Sequence, residues 1–217
     1  MLKCSYQPVG RHENTKEICH VSNSTKEKVK KIALSLFAKK GYDGTTMSEI
    51  AKGVGIKKAS LYSHFKGKEE LFFAVYEELA REYVNLMERI VDNSKNMEIE
   101  DKLYYIFEEY ITYYIENPEV QAFWNQIILF TPPEIYEEFF SHVNNCNAAV
   151  QQNMEEIFRE GMRQGLIRND DAKKMTWSFW AIREGLLNGM MIIPEMRNEE
   201  YIKGFWRDFW FGLKGRD

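Results

Sequence analysis

Two helix-start signals, each followed by a short apolar repeat, constrain this fold most. Ser24–Glu27 and Thr46–Glu49 both match the capping box, in which a Ser or Thr side chain and a Glu three residues later bond each other's backbone amides. The second signal predicts a short helix that ends at the pair Gly53 and Gly55, and a third short helix follows over residues 56–65. Two short helices joined by a tight glycine turn are typical of a helix-turn-helix.

The rest of the chain is predicted to form long helices. Only 5 prolines and 13 glycines interrupt 217 residues, and apolar residues recur at helical spacing between them. We therefore predict an all-α fold with no strand. Its predicted parts are a flexible N-terminal extension over residues 1–23, a three-helix helix-turn-helix domain over residues 24–68, and a larger helical domain over residues 69–217.

Charge is divided unevenly between these parts. Residues 24–68 carry eleven lysines and three acidic side chains, a net charge of +8, whereas residues 69–217 carry −13. A basic module on an otherwise acidic chain is typical of a surface that binds a polyanion such as DNA. Charge alone leaves open the alternative of a solvated lysine face that binds nothing.

The third predicted helix has an outward side made only of small residues. On a helical wheel, Leu61 and Phe65 fall on the buried side. Small side chains allow close approach to base edges in a major groove, while longer polar side chains at the flanks reach the phosphates. The predicted reading face is Ala59, Ser60 and Ser63, and the predicted phosphate contacts beside it are Lys57, Lys58, Tyr62 and His64.

Two further residues are predicted to contact the DNA backbone at helix starts. Lys68 lies in the first turn of the fourth helix, where the helix dipole disfavours a cation, so a phosphate in front of it would explain its presence. Thr46, as an N-cap residue, leaves amides of the second helix pointing outward, and its hydroxyl could also reach a phosphate. A capping role without DNA is the alternative for Thr46.

The run from Thr45 to Phe72 resembles the N-terminal DNA-binding domain of the TetR family of bacterial transcription regulators. The matching positions form a helix-turn-helix core of Ile50, Ala51, Gly55, Leu61 and Phe65, with Tyr62, the Lys66–Leu71 segment and the preceding Phe37, Gly41 and Tyr42. Lys57 and Ala59 depart from the serine and glycine that the family often has there. The methyl of Ala59 could meet a thymine methyl, so no relative's operator sequence transfers to this chain.

This resemblance implies a DNA-binding domain over residues 24–68 and an effector-binding and dimerisation domain over residues 69–217. It implies a homodimeric repressor that a small hydrophobic effector, of unknown identity, releases from a pseudo-palindromic double-stranded DNA operator. Aromatic residues of the middle helices could line the effector pocket, or they could form ordinary core. The predicted pocket residues are Tyr104, Phe107, Tyr110, Trp124, Phe139 and Trp177. Glu108, Glu109, Glu116 and Glu184 could favour a cationic effector if any of them faces inward.

The last two predicted helices carry stripes that could form a four-helix bundle with a second copy of the chain. Small residues recur every four positions on the first helix, and aromatic residues recur at helical spacing on the second. The predicted dimer interface comprises Ala181, Gly185, Gly189, Phe205, Trp206, Phe209 and Trp210. The alternative is that both stripes face the chain's own core.

The alternatives to a DNA-binding regulator are an enzyme and a protein-interaction module. No P-loop, HExxH, GxGxxG or paired nucleophile and base is present, so we predict no enzyme, no catalytic residue and no cofactor. The alternative to a DNA-binding regulator is a helical protein-interaction module that kept the fold and lost operator binding.

Cysteine and histidine usage points to a reducing compartment without a metal site. The three cysteines are widely spaced, and no signal peptide or membrane span is visible, so we predict a cytoplasmic protein with no membrane partner. Cys4, His12, Cys19 and His20 fit no zinc pattern. His142 and Cys146, an i, i+4 pair, are predicted to lie on an ordinary helix surface, with a metal or redox role as the alternative.

Overall fold

The computed structural model describes residues 24–214, except for the side chains of residues 138 and 141–147. The predicted extension 1–23 and the side chains of His142 and Cys146 therefore lie outside the described residues. Within the described range the chain is all-α, as predicted, with no strand. Its helices are α1 Thr25–Lys40, α2 Met47–Val54, α3 Lys58–Tyr62, α4 Lys68–Asn93, α5 Ile99–Glu116, α6 Pro118–Phe130, α7 Pro133–Arg163, α8 Ala172–Ile192 and α9 Glu199–Leu213, with a 3-10 turn at Pro194–Met196.

Local capping signals explain where many of these helices begin. The Ser24 hydroxyl accepts a hydrogen bond from the Glu27 amide at α1, and Thr46 and Glu49 form a complete capping box at α2. The side chain of Asp171 accepts bonds from two amides at the start of α8. Because these bonds satisfy amides that a helix cannot satisfy internally, the helix starts follow from residues within a few positions.

Helix α2 ends where the sequence predicts, and the next helix does not. Helix α2 runs to Val54 and ends at Gly55, whose φ is +79°. Gly53 lies inside this helix, where an added side chain would lie 2.7 Å from Cγ2 of Ile32, so glycine permits the close packing of α1 and α2. Helix α3 is a single turn, Lys58–Tyr62, shorter than the predicted 56–65.

Buried side chains of α1 to α3, the first half of α4, α6 and the start of α7 form an N-terminal cluster. Its large members include Phe37, Ile50, Leu61, Phe72, Tyr76, Phe123, Ile127 and Phe139. The second half of α4 joins α5, α7, α8 and α9 in a C-terminal cluster. Its large members include Met87, Leu103, Phe107, Tyr110, Phe158, Phe179, Leu186, Trp206 and Trp210.

Packing crosses the predicted domain boundary at residue 68. Helix α4 contributes Leu71–Ala80 to the N-terminal cluster and Leu86–Ile90 to the C-terminal cluster, so one continuous helix joins the two. Helix α6 also packs against α1, where the Ser35 hydroxyl donates a 2.9 Å hydrogen bond to Glu119. The three helices before residue 68 therefore share their core with helices far along the chain.

None of the helices in residues 24–214 combines the length and the apolar character needed to cross a bilayer.

Candidate nucleic-acid interface

The turn between α2 and α3 orients α3 from a buried anchor. Ile50, Ala51, Leu61 and Phe65 are each at most 3% exposed and belong to the N-terminal cluster. The amide of Gly55 donates to the carbonyls at the end of α2, and the Ile56 amide donates to Ala51. These contacts hold the turn rigidly against the core, so α3 presents its other side outward.

The outward side of α3 carries the predicted reading residues. Ala59, Ser60 and Ser63 are exposed, as are Lys57, Lys58 and Tyr62, while His64 is half-buried. The Lys58 ammonium lies 5.9 Å from the centre of the Tyr62 ring, so the two side chains share one flank. The structure therefore brings together six exposed side chains of the predicted set on one short surface.

The end of this surface differs from an ideal helix. After Tyr62 the chain turns, and the Ser63 hydroxyl donates a 2.7 Å hydrogen bond to the Ser60 carbonyl. Ser63 and His64, which the sequence analysis placed within a helix over residues 56–65, therefore lie beyond the end of α3. Ser63 presents a hydroxyl oxygen whose proton is already used within the chain.

Thr46 is exposed and its hydroxyl has two partners within the capping box. The hydroxyl accepts from the Glu49 amide at 3.2 Å and donates to the Glu49 carboxylate at 2.8 Å. The hydrogen bonds from Lys40, at 2.6 Å, and from Thr46 lower the pKa of Glu49 to about 2. A phosphate at this position would therefore meet the free amides at the α2 start more readily than the Thr46 hydroxyl.

Lys68 has partners within the chain that the sequence did not indicate. Its ammonium donates a 2.8 Å hydrogen bond to the Tyr42 carbonyl and lies 4.1 Å from the centre of the Tyr42 ring. It therefore ties the start of α4 to the loop between α1 and α2. A phosphate is not needed to explain a lysine here, although an ammonium has three donors and a phosphate contact stays a prediction.

The six residues predicted to line an effector pocket do not share one cavity, which corrects that prediction. Phe107 and Tyr110 are buried in the C-terminal cluster, Phe139 is buried in the N-terminal cluster, and Trp177 is 54% exposed. None of the six lines the small cavity beside Phe37 and Phe72 or the small cavity beside Met87 and Val150. The remaining two are partly buried, Tyr104 against Trp206 and Trp124 against Tyr76. These aromatic rings fill the contacts between helices.

The predicted dimer residues separate into two groups. Trp206 and Trp210 are 7% and 6% exposed and stack on each other inside the chain's own core, which corrects their assignment to an interface. Gly189 is covered by Met196, whose Cε lies 3.1 Å from the place of an added side chain. The exposed small residues are Ala181 and Gly185 on α8, and half-buried Phe205 and Phe209 on α9 lie beside the core.

Sequence reasoning missed one charged residue of the core, Arg183. It is 2% exposed on α8, and its guanidinium lies 3.7 Å from the centre of the Tyr110 ring. A signal was present, because Arg183 occupies the position four residues after buried Phe179 on the apolar stripe of α8. The acidic residue next to it, Glu184, accepts a 2.5 Å hydrogen bond from the Tyr110 hydroxyl.

Comparisons with known proteins agree with this geometry. A family model described as bacterial regulatory proteins, tetR family, matches residues 31–75. The chain is 33% identical over 138 residues to the biofilm operon icaADBC HTH-type negative transcriptional regulator IcaR of Staphylococcus aureus (strain Newman), covering 62% of this chain and 70% of that protein. It is 38% identical over 99 residues to the regulator of the same name from Staphylococcus epidermidis, covering 42% of this chain and 52% of that protein.

Solved structures share the fold along most of the chain. A putative tetR family transcription regulator from Shewanella sp. PV-4 has a TM-score of 0.70 at 20% identity, covering 89% of this chain and 100% of that chain. A bacterial regulatory protein in the tetR family from Rhodococcus RHA1 has a TM-score of 0.71 at 16% identity, covering 89% of this chain and 99% of that chain. At these identities the likeness concerns the fold alone.

Proposed function

The chain belongs to the TetR family of bacterial transcriptional regulators, and we propose that it is a homodimeric repressor which a small-molecule effector releases from a pseudo-palindromic operator. The observation that carries the DNA-binding part is the outward face of α3. It combines small residues at its centre with exposed lysines at its edge, on a segment with a net charge of +8. Such a face suits insertion into a major groove between two phosphate walls.

Each predicted contact has a distinct role in this proposal. Ala59, Ser60 and Ser63 would approach the base edges, and Lys57 and Lys58 would neutralise phosphates on one side. Tyr62 and His64 would contact the DNA backbone through their polar atoms. The backbone amides at the starts of α2 and α4 would donate hydrogen bonds to phosphates beside Thr46 and Lys68. Two copies would place two α3 helices about one DNA turn apart, or a multiple of it, which explains the pseudo-palindrome.

A repressor activity is supported by the relative whose printed name is a negative transcriptional regulator. Release by an effector is supported by helix α4, which contributes side chains to both clusters. A ligand that shifts the second half of α4 would also shift its start, where Lys68 bonds the loop after α1. A coupling free energy of about 1–3 kcal/mol is enough to change operator occupancy.

The function is tested by measuring whether the full-length protein retards DNA taken from both sides of its own gene. At low salt we expect saturable retardation at nanomolar to micromolar protein and a stoichiometry of one dimer per site. A random duplex of the same length is the control and should bind more weakly. Absence of retardation by dimeric protein at low salt would contradict the proposal and favour the interaction module.

Dimerisation is proposed to use the exposed stripe of α8. Trp177, Ala181 and Gly185 are spaced by four residues and are all exposed, so Trp177 joins this surface instead of a pocket. Small residues at its centre allow the backbone of a second α8 to approach closely, and Phe205 and Phe209 of α9 would extend the contact.

Gly185→Gln tests this surface without disturbing the protomer. A side chain built at position 185 meets nothing within 4 Å in the single chain, and replacing a helical glycine is not destabilising in itself. Added volume in a packed contact typically costs about 1–3 kcal/mol, so we expect the dimer Kd to rise by about five- to 150-fold in analytical ultracentrifugation. Ala148→Gln, at an exposed small residue of α7, is the control. An unchanged dimer Kd for Gly185→Gln would place the interface elsewhere.

A further inference from the structure

Arg183 is a permanently charged side chain inside the C-terminal cluster. Its relative exposure is 2%, and it is among the largest fully buried side chains of the described residues. A guanidinium cannot lose its proton at any physiological pH, so the positive charge stays in the core. Burial of such a charge is strongly unfavourable unless a negative partner and hydrogen-bond acceptors surround it.

The surroundings of Arg183 satisfy it only in part. Its guanidinium lies 3.7 Å from the centre of the Tyr110 ring and 5.2 Å from that of Phe179. Two of its three nitrogens, Nε and Nη1, are buried with no hydrogen-bond partner among the described residues. Buried donors without an acceptor are rare in proteins and call for an explanation.

No described neighbour supplies the missing negative charge. Burial raises the pKa of Tyr110 and of Tyr114 well above the ordinary value, so both hydroxyls stay protonated and neutral. The carboxylate of Glu184 bonds the Tyr110 hydroxyl, and no carboxylate oxygen of the described side chains lies within 4.0 Å of the Arg183 nitrogens. The site therefore has a fixed cation, two free donors and aromatic walls.

We propose that Arg183 is the recognition group for an effector that carries a carboxylate or another oxoanion on an aromatic or apolar body. This proposal rests on the proposed function, since it names the chemical class of the effector. An oxoanion would accept from the free Nε and Nη1 groups and neutralise the buried charge. The rings of Tyr110 and Phe179 would contact the apolar body. The side chain of Glu184, held by Tyr110, disfavours a second negative charge on the ligand.

The same contacts connect the site to helix α4. Tyr83 lies on α4 and packs edge-on against Tyr110, with ring centres 6.4 Å apart. Burial raises the pKa of Tyr83, and the neighbouring charge of Arg183 opposes that rise. The rings of Tyr110 and Phe179 cover the guanidinium, and Tyr83 packs on Tyr110, so a ligand that reaches Arg183 has to displace at least one of these side chains. Displacement of Tyr83 would move α4 and so carry the binding signal towards the helix-turn-helix.

The first test needs no ligand and compares the thermal unfolding of full-length wild type with that of Arg183→Met. If Arg183 serves to bind a ligand, its replacement by an apolar side chain of similar length removes an incompletely paired buried charge. The unfolding midpoint should then be unchanged or higher. If Arg183 is a structural group, its loss removes the contacts with the rings of Tyr110 and Phe179, and the midpoint falls. A clearly lower midpoint for Arg183→Met would overturn the proposal.

The second test titrates matched anionic and neutral probes into each variant. 2-Naphthoate and octanoate should raise the wild-type midpoint by mass action, whereas 2-naphthamide and octanamide should not. Arg183→Met should weaken carboxylate binding by about tenfold or more. Arg183→Lys keeps the charge, so its carboxylate affinity should fall between those of the wild type and Arg183→Met. Equal responses to acid and amide, no response to either acid, or an unchanged response of Arg183→Met would each overturn the proposal.

Failure of this inference is separable from failure of the proposed function. Retardation of operator DNA by the wild-type protein without a ligand tests the proposed function and does not depend on the Arg183 inference. Operator binding that no carboxylate probe changes refutes the Arg183 site and leaves a DNA-binding regulator. Absence of operator binding by the wild-type protein refutes the proposed function.

Discussion

Replacing Lys57 and Lys58 together with alanine is expected to weaken operator binding by roughly sixtyfold at 0.1 M salt. Each phosphate contact contributes about 0.9 to the slope of log K against log salt, so two contacts account for about 1.8 decades between 1 M and 0.1 M. Both side chains are exposed at the start of α3, so the substitution should leave the fold unchanged. The measurement is fluorescence anisotropy at five or more salt concentrations, which gives affinity and slope together.

Lys173→Ala with Lys174→Ala is the matched control for this experiment. These are also two adjacent, exposed lysines at a helix start, and they remove the same charge, but they lie on α8 in the acidic part of the chain. We expect a much smaller change in slope for this pair. An unchanged slope for Lys57→Ala with Lys58→Ala would contradict their role as phosphate contacts. Lys68 is left out because its bond to Tyr42 would mix folding with binding.

Phe123→Ala on α6 is expected to lower the free energy of unfolding by about 3–5 kcal/mol. Its side chain is 0% exposed in the N-terminal cluster, with its ring centre 6.0 Å from that of Phe72 on α4. A cavity there removes contacts on which α1 and α4 also depend. Hydrogen exchange should therefore show reduced protection in Thr25–Lys40, although residue 123 lies far outside the predicted DNA-binding domain.

Phe130→Ala provides the comparison on the same helix. Phe130 is two turns further along α6 and 69% exposed, so we expect a change in unfolding free energy of at most about 0.5 kcal/mol. Urea denaturation measures both variants. If Phe123→Ala reduced exchange protection only within α6, residues 24–68 would fold independently of α6, and the predicted boundary at residue 68 would describe a true folding unit.

Sequence reasoning was most successful where the signals were local. Thr46 and Glu49 lie three residues apart, and their capping box begins α2 where the pattern predicts. Gly55 ends that helix with a positive φ, and Leu61 and Phe65 are buried at the spacing expected of one helix face. The all-α fold and the TetR family membership followed from such signals, and both are confirmed.

Prediction from the sequence was least successful where a residue's role depended on a partner far away in the chain. Trp206 and Trp210 form an aromatic stripe, and the sequence cannot show whether that stripe faces another chain or its own core. Trp177 was predicted to line the effector pocket with other aromatic residues, but its side chain is 54% exposed. Arg183 interrupts an apolar stripe, and only the approach of Tyr110 and Tyr83 shows that the guanidinium is enclosed.

The sequence by itself therefore determined the helices, the turn at Gly55, the basic charge of residues 24–68 and the exposed character of α3. Capping, helical periodicity and charge depend on residues within a few positions of each other, so they can be recognised without the fold. Only the tertiary structure decided that α6 packs on α1, that Lys68 bonds Tyr42, and that Arg183 lies buried with unpaired donors. These contacts join residues far apart in the chain, and packing selects them among many pairs that the same helical pattern allows.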